Sequence, residues 1–116
     1  MKPKRKLEAL FFRSGTGKEP VRDWLKGLDA AKRKAIGEDI RTAQYGWPLG
    51  MPLIRKLERG LWEVRTRLHD GIARTMFTVD ANRMVLLHGF IKKSQKTPSK
   101  ELQTARRRLQ KYQEKS

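Results

Sequence analysis

The hydrophobic pattern of this chain changes its period near the middle. Every second residue in the centre of residues 61–68 (LWEVRTRL) is charged, which is typical of a β-strand with one buried face. Turn-forming residues follow at 69–71 and 80–82, and each turn leads into another strand-like run, 72–79 or 84–91. Three strands joined by tight turns predict an antiparallel meander. The last run begins with four apolar residues, which predicts a central strand buried on both faces.

The residues before this change predict one strand and two helices. Residues 7–12 are apolar and aromatic enough to form a strand. Apolar residues spaced i, i+3, i+4 and i+7 predict a short helix over about residues 20–28, with a proline suited to its first position. Asp29 is a suitable N-cap for a second helix over about residues 30–45. Gly and Pro are frequent at the start of residues 46–60, which are predicted to form a loop.

The end of the chain predicts a third helix. Thr97 is a suitable N-cap, Pro98 suits the first helical position, and Glu101 lies in the first turn. A narrow apolar stripe then continues to Tyr112. The predicted order is β-α-α-β-β-β-α in a single domain over residues 1–116. We therefore predict the α+β class, with a mainly antiparallel sheet and helices packed on one side.

The chain is strongly basic for its length. Its 116 residues include 28 Lys and Arg but only 12 Asp and Glu, which gives a formal net charge of +16. Such a surplus destabilises the compact state by self-repulsion and favours a partner that relieves it. Nucleic acid is the first candidate, an acidic protein the second and an anionic membrane the third. A soluble basic domain without such a partner is the simpler alternative.

Several classes of protein are excluded or disfavoured. The absence of cysteine excludes disulfides, thiol nucleophiles and Fe–S clusters. No apolar run is long enough for a bilayer and no secretory signal is recognisable, so we expect a cytoplasmic protein with no membrane partner. Neither a metal nor another cofactor is expected, because the two histidines are far apart and no metal-ligand spacing is present. Residues 14–18 (SGTGK) lack the full pattern of a phosphate-binding loop.

One face of the predicted meander collects basic residues. Alternate residues of a strand point the same way, so neighbouring strands bring their side chains onto one surface. This surface contains one acidic residue, with His88 and five basic residues around it: Glu63, then Arg65, Arg67, Arg74, Lys92 and Lys93. Such a face is commonly just the solvated side of an antiparallel sheet. Like charges on neighbouring strands cost stability, however, which favours a functional reason for the cluster.

A cationic sheet surface suits RNA phosphate. Arg and Lys stabilise the charge that develops when a ribose 2′-OH attacks its own phosphodiester. The reaction also needs a base for the 2′-OH proton and an acid for the leaving 5′ oxygen. Glu63, His88 or a lysine whose pKa is lowered by cationic neighbours are the candidates. The simpler interpretation of His88 is a satisfied core residue, because it ends an apolar run. The basic last helix is interpreted either as solvated or as a direct contact with RNA.

Three stretches of the sequence resemble a known family. They are residues 57–65 (LERGLWEVR), Arg74 with Phe77, and residues 85–98 (VLLHGFIKKSQKTP), followed by Glu101 and Ala105. Together they resemble the phage-derived, HigB-like branch of the RelE/ParE toxin superfamily, over nearly the whole chain from residue 7 to residue 112. The LLHGFxKKSxKTP pattern is the more specific, whereas LWEVR is shared more widely in the superfamily.

The resemblance implies a toxin of a type II toxin–antitoxin pair with a small RelE-like α+β fold. It implies a ribosome-dependent endoribonuclease, an mRNA interferase that cuts mRNA without a metal, uses the substrate 2′-OH and inhibits translation. The implied partners are the ribosome, mRNA and a helix-turn-helix antitoxin of the HigA kind. Operator DNA is then contacted only through the antitoxin.

The resemblance also implies roles for individual residues. Arg65 matches a basic position on the second strand of RelE-type enzymes, and Arg74 matches their phosphate-stabilising arginine. The predicted catalytic set is Arg65, Arg74, Lys92, Lys93 and His88. The predicted RNA-binding set is Arg67, Lys56, Lys96, Arg106 and Arg107. Glu63 stands where RelE has a lysine, and no tyrosine follows the last strand, so the general base and acid stay unassigned.

Two other functions are compatible with the same fold. One is a ParE-like inhibitor that binds DNA gyrase without cutting nucleic acid, and the other is a basic phage protein that only binds nucleic acid. A cluster of basic residues favours the nuclease, since a gyrase binder does not need them on one sheet face: Arg65, Arg74, Lys92 and Lys93. We expect Arg74→Ala to abolish cleavage and leave the fold largely intact.

Overall fold

Five strands and three helices make up the fold. The computed structural model describes residues 4–115. The elements are β1 (Glu8–Phe11), α1 (Pro20–Lys26), α2 (Ala30–Gly46), β2 (Ile54–Glu58), β3 (Leu61–Leu68), β4 (Gly71–Asp80), β5 (Arg83–Lys92) and α3 (Ser99–Lys115). The predicted α+β class is confirmed. Residues 1–3 and 116 of the predicted domain lie outside the described residues.

The segment predicted as a loop over residues 46–60 contains an additional strand, β2. It pairs antiparallel with β3, with Ile54 opposite Val64 and Arg55 opposite Glu63. Four of the glycines and prolines that favour a loop lie within residues 46–52, and Ile54 is then buried in the core. The predicted order of elements is therefore wrong by one strand, and the observed order is β-α-α-β-β-β-β-α.

The strands form one mixed sheet in the order β1-β5-β4-β3-β2. Strand β1 pairs parallel with β5, and every other neighbouring pair is antiparallel. The predicted meander of β3, β4 and β5 is confirmed. The central strand is β4 rather than β5, because β1 lies outside β5. Met84, Val85, Leu86 and Leu87 of β5 are nevertheless all buried, as the apolar run predicts.

Helices cover both faces of the sheet, so the prediction that they pack on one side is wrong. Met84 and Leu86 belong to one core cluster, together with residues of α1 and α2. Val85 and Leu87 belong to a second cluster, which α3 closes with Ala105. A strand that is apolar on both sides needs a cover on each side. Within residues 4–115, no helix is both long and apolar enough to cross a bilayer.

A register shift in β5 decides which side chains face α3. His88 pairs with Met76 and Leu86 pairs with Phe77, so Leu87 is an additional residue at a β-bulge. Beyond the bulge, His88 and Phe90 lie on the α3 side, while Gly89 lies against Trp24 of α1. The bulge therefore lets an indole pack closely on the backbone of β5.

Candidate functional site

Two arginines lie opposite each other on neighbouring strands, with a buried carboxylate beside them. Arg65 of β3 pairs with Arg74 of β4. Arg65 Nη1 donates to Glu63 Oε2 at 2.7 Å, and Arg74 Nε lies 3.9 Å from the same oxygen. Glu63 and Arg74 are both 0% exposed. The carboxylate therefore offsets the repulsion that two facing arginines impose on the sheet.

The segment that joins β5 to α3 covers this group. We call residues 93–98 the cover loop. Arg74 Nη2 donates to the carbonyl of Ser94, and Arg65 Nη2 donates to Gln95 Oε1 at 2.9 Å. The surface predicted as an open cationic face is thus closed at its centre by the protein's own chain.

The cover loop also changes the start of α3. Thr97 does not cap the helix as predicted, since its hydroxyl donates to Glu63 Oε1 at 3.0 Å instead. The helix begins at Ser99, and the carbonyl of Pro98 accepts the amides of Glu101 and Leu102 at 3.1 Å each. Thr97 therefore ties the loop to the buried carboxylate.

The guanidinium of Arg74 has N–H donors that are not used in hydrogen bonds within residues 4–115. Its Nε and Nη1 atoms are buried and have no hydrogen-bond partner within residues 4–115. The group lies over the ring of Phe90, at 5.6 Å from the ring centroid. Burial lowers the pKa of Arg74, the positive charges of Arg65 and Arg55 lower it further, and Glu63 opposes them. The site therefore contains an incompletely hydrogen-bonded cation that an additional acceptor would stabilise.

A third arginine, which the sequence analysis missed, belongs to the same group. Arg55 of β2 lies opposite Glu63, and its Nη1 donates to the carbonyl of Gln95 at 3.5 Å. We call Arg55, Arg65 and Arg74 the arginine cluster. The register of β2 shifts between Lys56 and Glu58, which interrupts the alternation that would have revealed this strand in the sequence.

A cleft of about 270 Å³ opens beside the arginine cluster. Arg65, Arg67 and Gln95 line its polar side, together with Asp39 of α2. Its apolar side consists of Met51, Pro52, Leu53 and Ile72. Arg67 is exposed, so this predicted RNA-binding residue adds a solvent-accessible cation next to the covered ones.

His88 lies on the same sheet face but beneath α3. Its Nδ1 accepts from Arg108 Nη1 at 3.1 Å, so its Nε2 carries the proton and donates to Glu101 Oε1 at 2.7 Å. Burial lowers the pKa of His88, the hydrogen bond to Glu101 opposes this, and the charge of Arg108 lowers it further. The ring of Phe90, stacked at 5.8 Å, separates His88 from Arg74. Both ring nitrogens are thus engaged away from the arginine cluster.

The remaining predicted residues lie in several places. Lys92 ends β5, and Lys93 and Lys96 belong to the cover loop, all of them exposed. Lys56 extends over the ring of Trp62, at 5.9 Å from its centroid, on the sheet face opposite the arginine cluster. Arg106 of α3 binds Glu58 through hydrogen bonds of 2.6 to 3.1 Å. Arg107 lies on α3, away from the cluster.

The described part of the chain, residues 4–115, contains no group of three or more His, Asp or Glu residues arranged to hold a metal ion. The site places guanidinium, ammonium and carboxylate groups on one sheet face, next to a partly apolar cleft.

The fold and site define a small, basic α+β protein whose arginines lie beneath the loop that joins its last strand to its last helix. The chain belongs to the family described as phage derived protein Gp49-like (DUF891), whose model matches residues 23–110. This family is associated with RelE/HigB-like toxins. The matched span runs from α1 into α3 and includes the whole arginine cluster. A comparison with curated proteins gave no match.

Proposed function

We propose that this protein is the toxin of a type II toxin–antitoxin system and acts as a ribosome-dependent mRNA endoribonuclease of the HigB-like branch. The observation that carries the proposal is the arginine cluster, whose guanidinium groups bind oxygens of the cover loop. The association of the Gp49-like family with RelE/HigB-like toxins supports it independently.

The cover loop presents oxygen atoms where a phosphodiester would present its own. Arg65 and Arg74 donate to the side-chain oxygen of Gln95 and to the carbonyl oxygen of Ser94. Phosphate oxygens accept hydrogen bonds from guanidinium groups in the same way, and they add the attraction of opposite charge. When the loop lifts, an RNA phosphate takes the place of these neutral acceptors.

The proposed reaction is attack of a ribose 2′-OH on the adjacent phosphorus, which breaks the bond from phosphorus to the 5′ oxygen. Arg65 and Arg74 stabilise the negative charge that develops on the phosphate oxygens. Lys92 and Lys93 provide further positive charge where β5 enters the cover loop.

Glu63 acts in this scheme as a positioning residue. Its two oxygens are bound by Arg65 and by Thr97, so the carboxylate fixes the direction of the Arg65 guanidinium. His88 is likewise engaged on both ring nitrogens by Glu101 and Arg108. We therefore assign the catalytic effect to electrostatic stabilisation by the arginines, and we assign no proton transfer to Glu63 or His88.

We further propose that a helix-turn-helix antitoxin of the HigA kind neutralises the toxin in the cytoplasm. The net charge of +16 suits both an acidic surface on such a partner and the RNA of the ribosome and its message. In this scheme the chain reaches operator DNA only through the antitoxin.

Expression of the chain alone in bacteria tests the proposal. Primer extension on a translated message should reveal new 5′ ends within codons, and Arg74→Lys should abolish them. Lys34→Gln, at an exposed position on α2, is the control and should cut like the unaltered chain. Growth arrest with intact messages and damaged DNA would instead indicate a ParE-like gyrase inhibitor. Nucleic-acid binding without arrest would indicate a phage binding protein.

A further inference from the structure

The SGTGK segment forms an ordered turn that leads Lys18 toward α3. The amide of Gly17 donates to the carbonyl of Ser14 at 2.9 Å, and the amide of Lys18 donates to the Ser14 hydroxyl at 3.2 Å. Gly17 has a φ of +86°, a left-handed conformation that favours glycine. The sequence pattern does not make a nucleotide-binding loop, but the turn has a defined geometry of its own.

A cavity of about 280 Å³ lies between this turn and α3. Phe12, Pro20 and Ser14 form its floor and sides, and four basic residues complete its lining: Lys18, Arg107, Arg108 and Lys111. We call this the basic cavity. No carboxylate of residues 4–115 lines it. Glu19, the nearest acidic residue along the chain, binds Arg22 at 3.2 Å and lies 3.7 Å from Arg13.

Arg108 is the most constrained cation of the basic cavity. One of its terminal nitrogens, Nη1, donates both to the carbonyl of Leu87 at 2.9 Å and to His88 Nδ1 at 3.1 Å. Burial lowers the pKa of Arg108, and the charge of Arg107 lowers it further. No carboxylate within residues 4–115 approaches its guanidinium to 4.0 Å. A half-buried cation held in one orientation without a counter-ion is stabilised by an external anion.

The other cations of the cavity are also uncompensated. The side chains of Lys18, Arg107 and Lys111 have no ion-pair or hydrogen-bond partner within the described residues 4–115. Arg107 and Lys111 are also four residues apart on α3, so that their like charges destabilise the helix. Lys115 continues this row by another turn. A chain of negative charges that lies along this row offsets the repulsion between its cations.

We propose that the basic cavity is a phosphate-binding site for the backbone of an RNA strand, separate from the arginine cluster. One phosphate lies in the cavity on Arg108, Lys18 and Lys111, and the strand continues along the basic row of α3. A row of cations that extends beyond the cavity suits a polymer with regularly spaced phosphates better than a single phosphate ion. The site holds RNA whether or not the arginine cluster cleaves it.

Binding of a fluorescent 2′-O-methyl RNA oligonucleotide by fluorescence anisotropy tests this proposal. Such RNA lacks the attacking hydroxyl, so the measurement does not depend on cleavage. The double variant Lys18→Gln, Lys111→Gln changes two exposed residues and should keep the fold, which thermal unfolding checks. We expect binding to weaken by about tenfold or more, because two contacts are lost and one hydrogen bond between charged groups is already worth about tenfold. The slope of log K against the logarithm of the salt concentration should decrease in magnitude by about 1.4, because each of the two lost contacts with a single strand contributes about 0.7.

The double variant Lys26→Gln, Lys34→Gln is the matched control, because it removes the same charge from exposed positions on α1 and α2. It should weaken binding less than about twofold. Equal losses in both variants would overturn the proposal and leave only a non-specific effect of net charge. Titration with inorganic phosphate tests whether the basic cavity binds a free phosphate ion instead of an RNA backbone. If phosphate ion saturates the cavity in NMR spectra while the cavity variant binds RNA normally, the assignment to an RNA backbone is overturned.

Discussion

The carboxylate of Glu63 and the guanidinium of Arg65 form a buried ion pair at 2.7 Å on the α3-facing side of the sheet. Because of this pair, a second arginine, Arg74, can lie directly opposite Arg65 although Arg74 is buried away from solvent. Glu63 thus holds two guanidinium groups together in the interior of the protein. The ion pair therefore links the stability of the sheet to the proposed active site.

Glu63→Gln should destabilise the protein by about 3–5 kcal/mol, because removing one partner of a buried ion pair leaves charges uncompensated. Equilibrium unfolding in urea measures this. Glu58→Gln is the matched control, since it breaks the exposed ion pair with Arg106 and should cost no more than about 1 kcal/mol. Equal losses for the two variants would contradict the structural role given to Glu63.

Gln95→Ala should loosen the cover loop. The change removes the side-chain acceptor of Arg65, and the loss of one hydrogen bond to a charged group is worth roughly 1.5 kcal/mol or more. Amides of residues 93–98 should exchange with solvent faster, and 2′-O-methyl RNA should bind up to about tenfold more tightly. Gln103→Ala, at an exposed position on α3, should change neither quantity. Weaker RNA binding by Gln95→Ala would show that the loop is part of the RNA site rather than its cover.

Gly89→Ala should be strongly destabilising. A Cβ atom at this position would lie 2.2 Å from ring carbons of Trp24, whose indole is packed against the core. We expect a loss of about 1–3 kcal/mol or more from overpacking. Gly37→Ala on α2 meets no atom within 4 Å and should instead stabilise the helix by about 0.4–1 kcal/mol. Scanning calorimetry of both variants provides the comparison, and a harmless Gly89→Ala would contradict the close packing of α1 on β5.

Stability should fall as the pH decreases from about 7 to about 5. Burial holds the pKa of His88 below its ordinary value of 6.5, so the folded state resists a proton that the unfolded chain accepts. The native state is therefore favoured at higher pH, and its advantage is lost as the pH falls through that value. His88→Gln should flatten the profile, because glutamine can keep both hydrogen bonds and does not titrate.

The pH range of this loss of stability distinguishes the contribution of His88 from the contributions of three carboxylates. Hydrogen bonds to Arg106, Lys32 and Tyr112 lower the pKa values of Glu58, Asp70 and Asp80, so their contributions change only at more acidic pH. Urea unfolding between pH 5 and 7 checks the prediction. An unchanged slope in His88→Gln would show that another group is responsible.

The meander could be predicted from the sequence because its pattern is local. The charged residues of β3 alternate, and short turns set the register between β3, β4 and β5. Burial of β5 on both faces was also predictable from Met84 to Leu87. The same four residues are apolar on both faces of β5, so helices must cover both faces of the sheet. The prediction that the helices pack on one side overlooked this consequence.

The remainder depends on contacts between distant parts of the chain. Strand β2 has no clear alternation because its register shifts after Lys56, so Arg55 was missed. The cover loop joins Gln95 and Thr97 to residues about thirty positions earlier, and no local pattern reports such contacts. For the same reason, the expectation that Arg74→Ala leaves the fold intact does not suit a fully buried arginine beside Glu63. Arg74→Lys, which keeps the charge but loses the planar fork, is the better functional probe.

The chemistry of the RNA ends tests the central claim most directly. The purified chain is added to ribosomes that translate a defined message, and the termini of the fragments are identified. We expect a 2′,3′-cyclic phosphate on the upstream fragment and a 5′-hydroxyl on the downstream fragment, because the 2′ oxygen forms the new bond to phosphorus as the 5′ oxygen leaves. Arg65→Lys, Arg74→Lys or a single 2′-O-methyl group at the cleaved position should each prevent the cut. An intact message, or fragments that begin with a 5′-phosphate, would contradict the account.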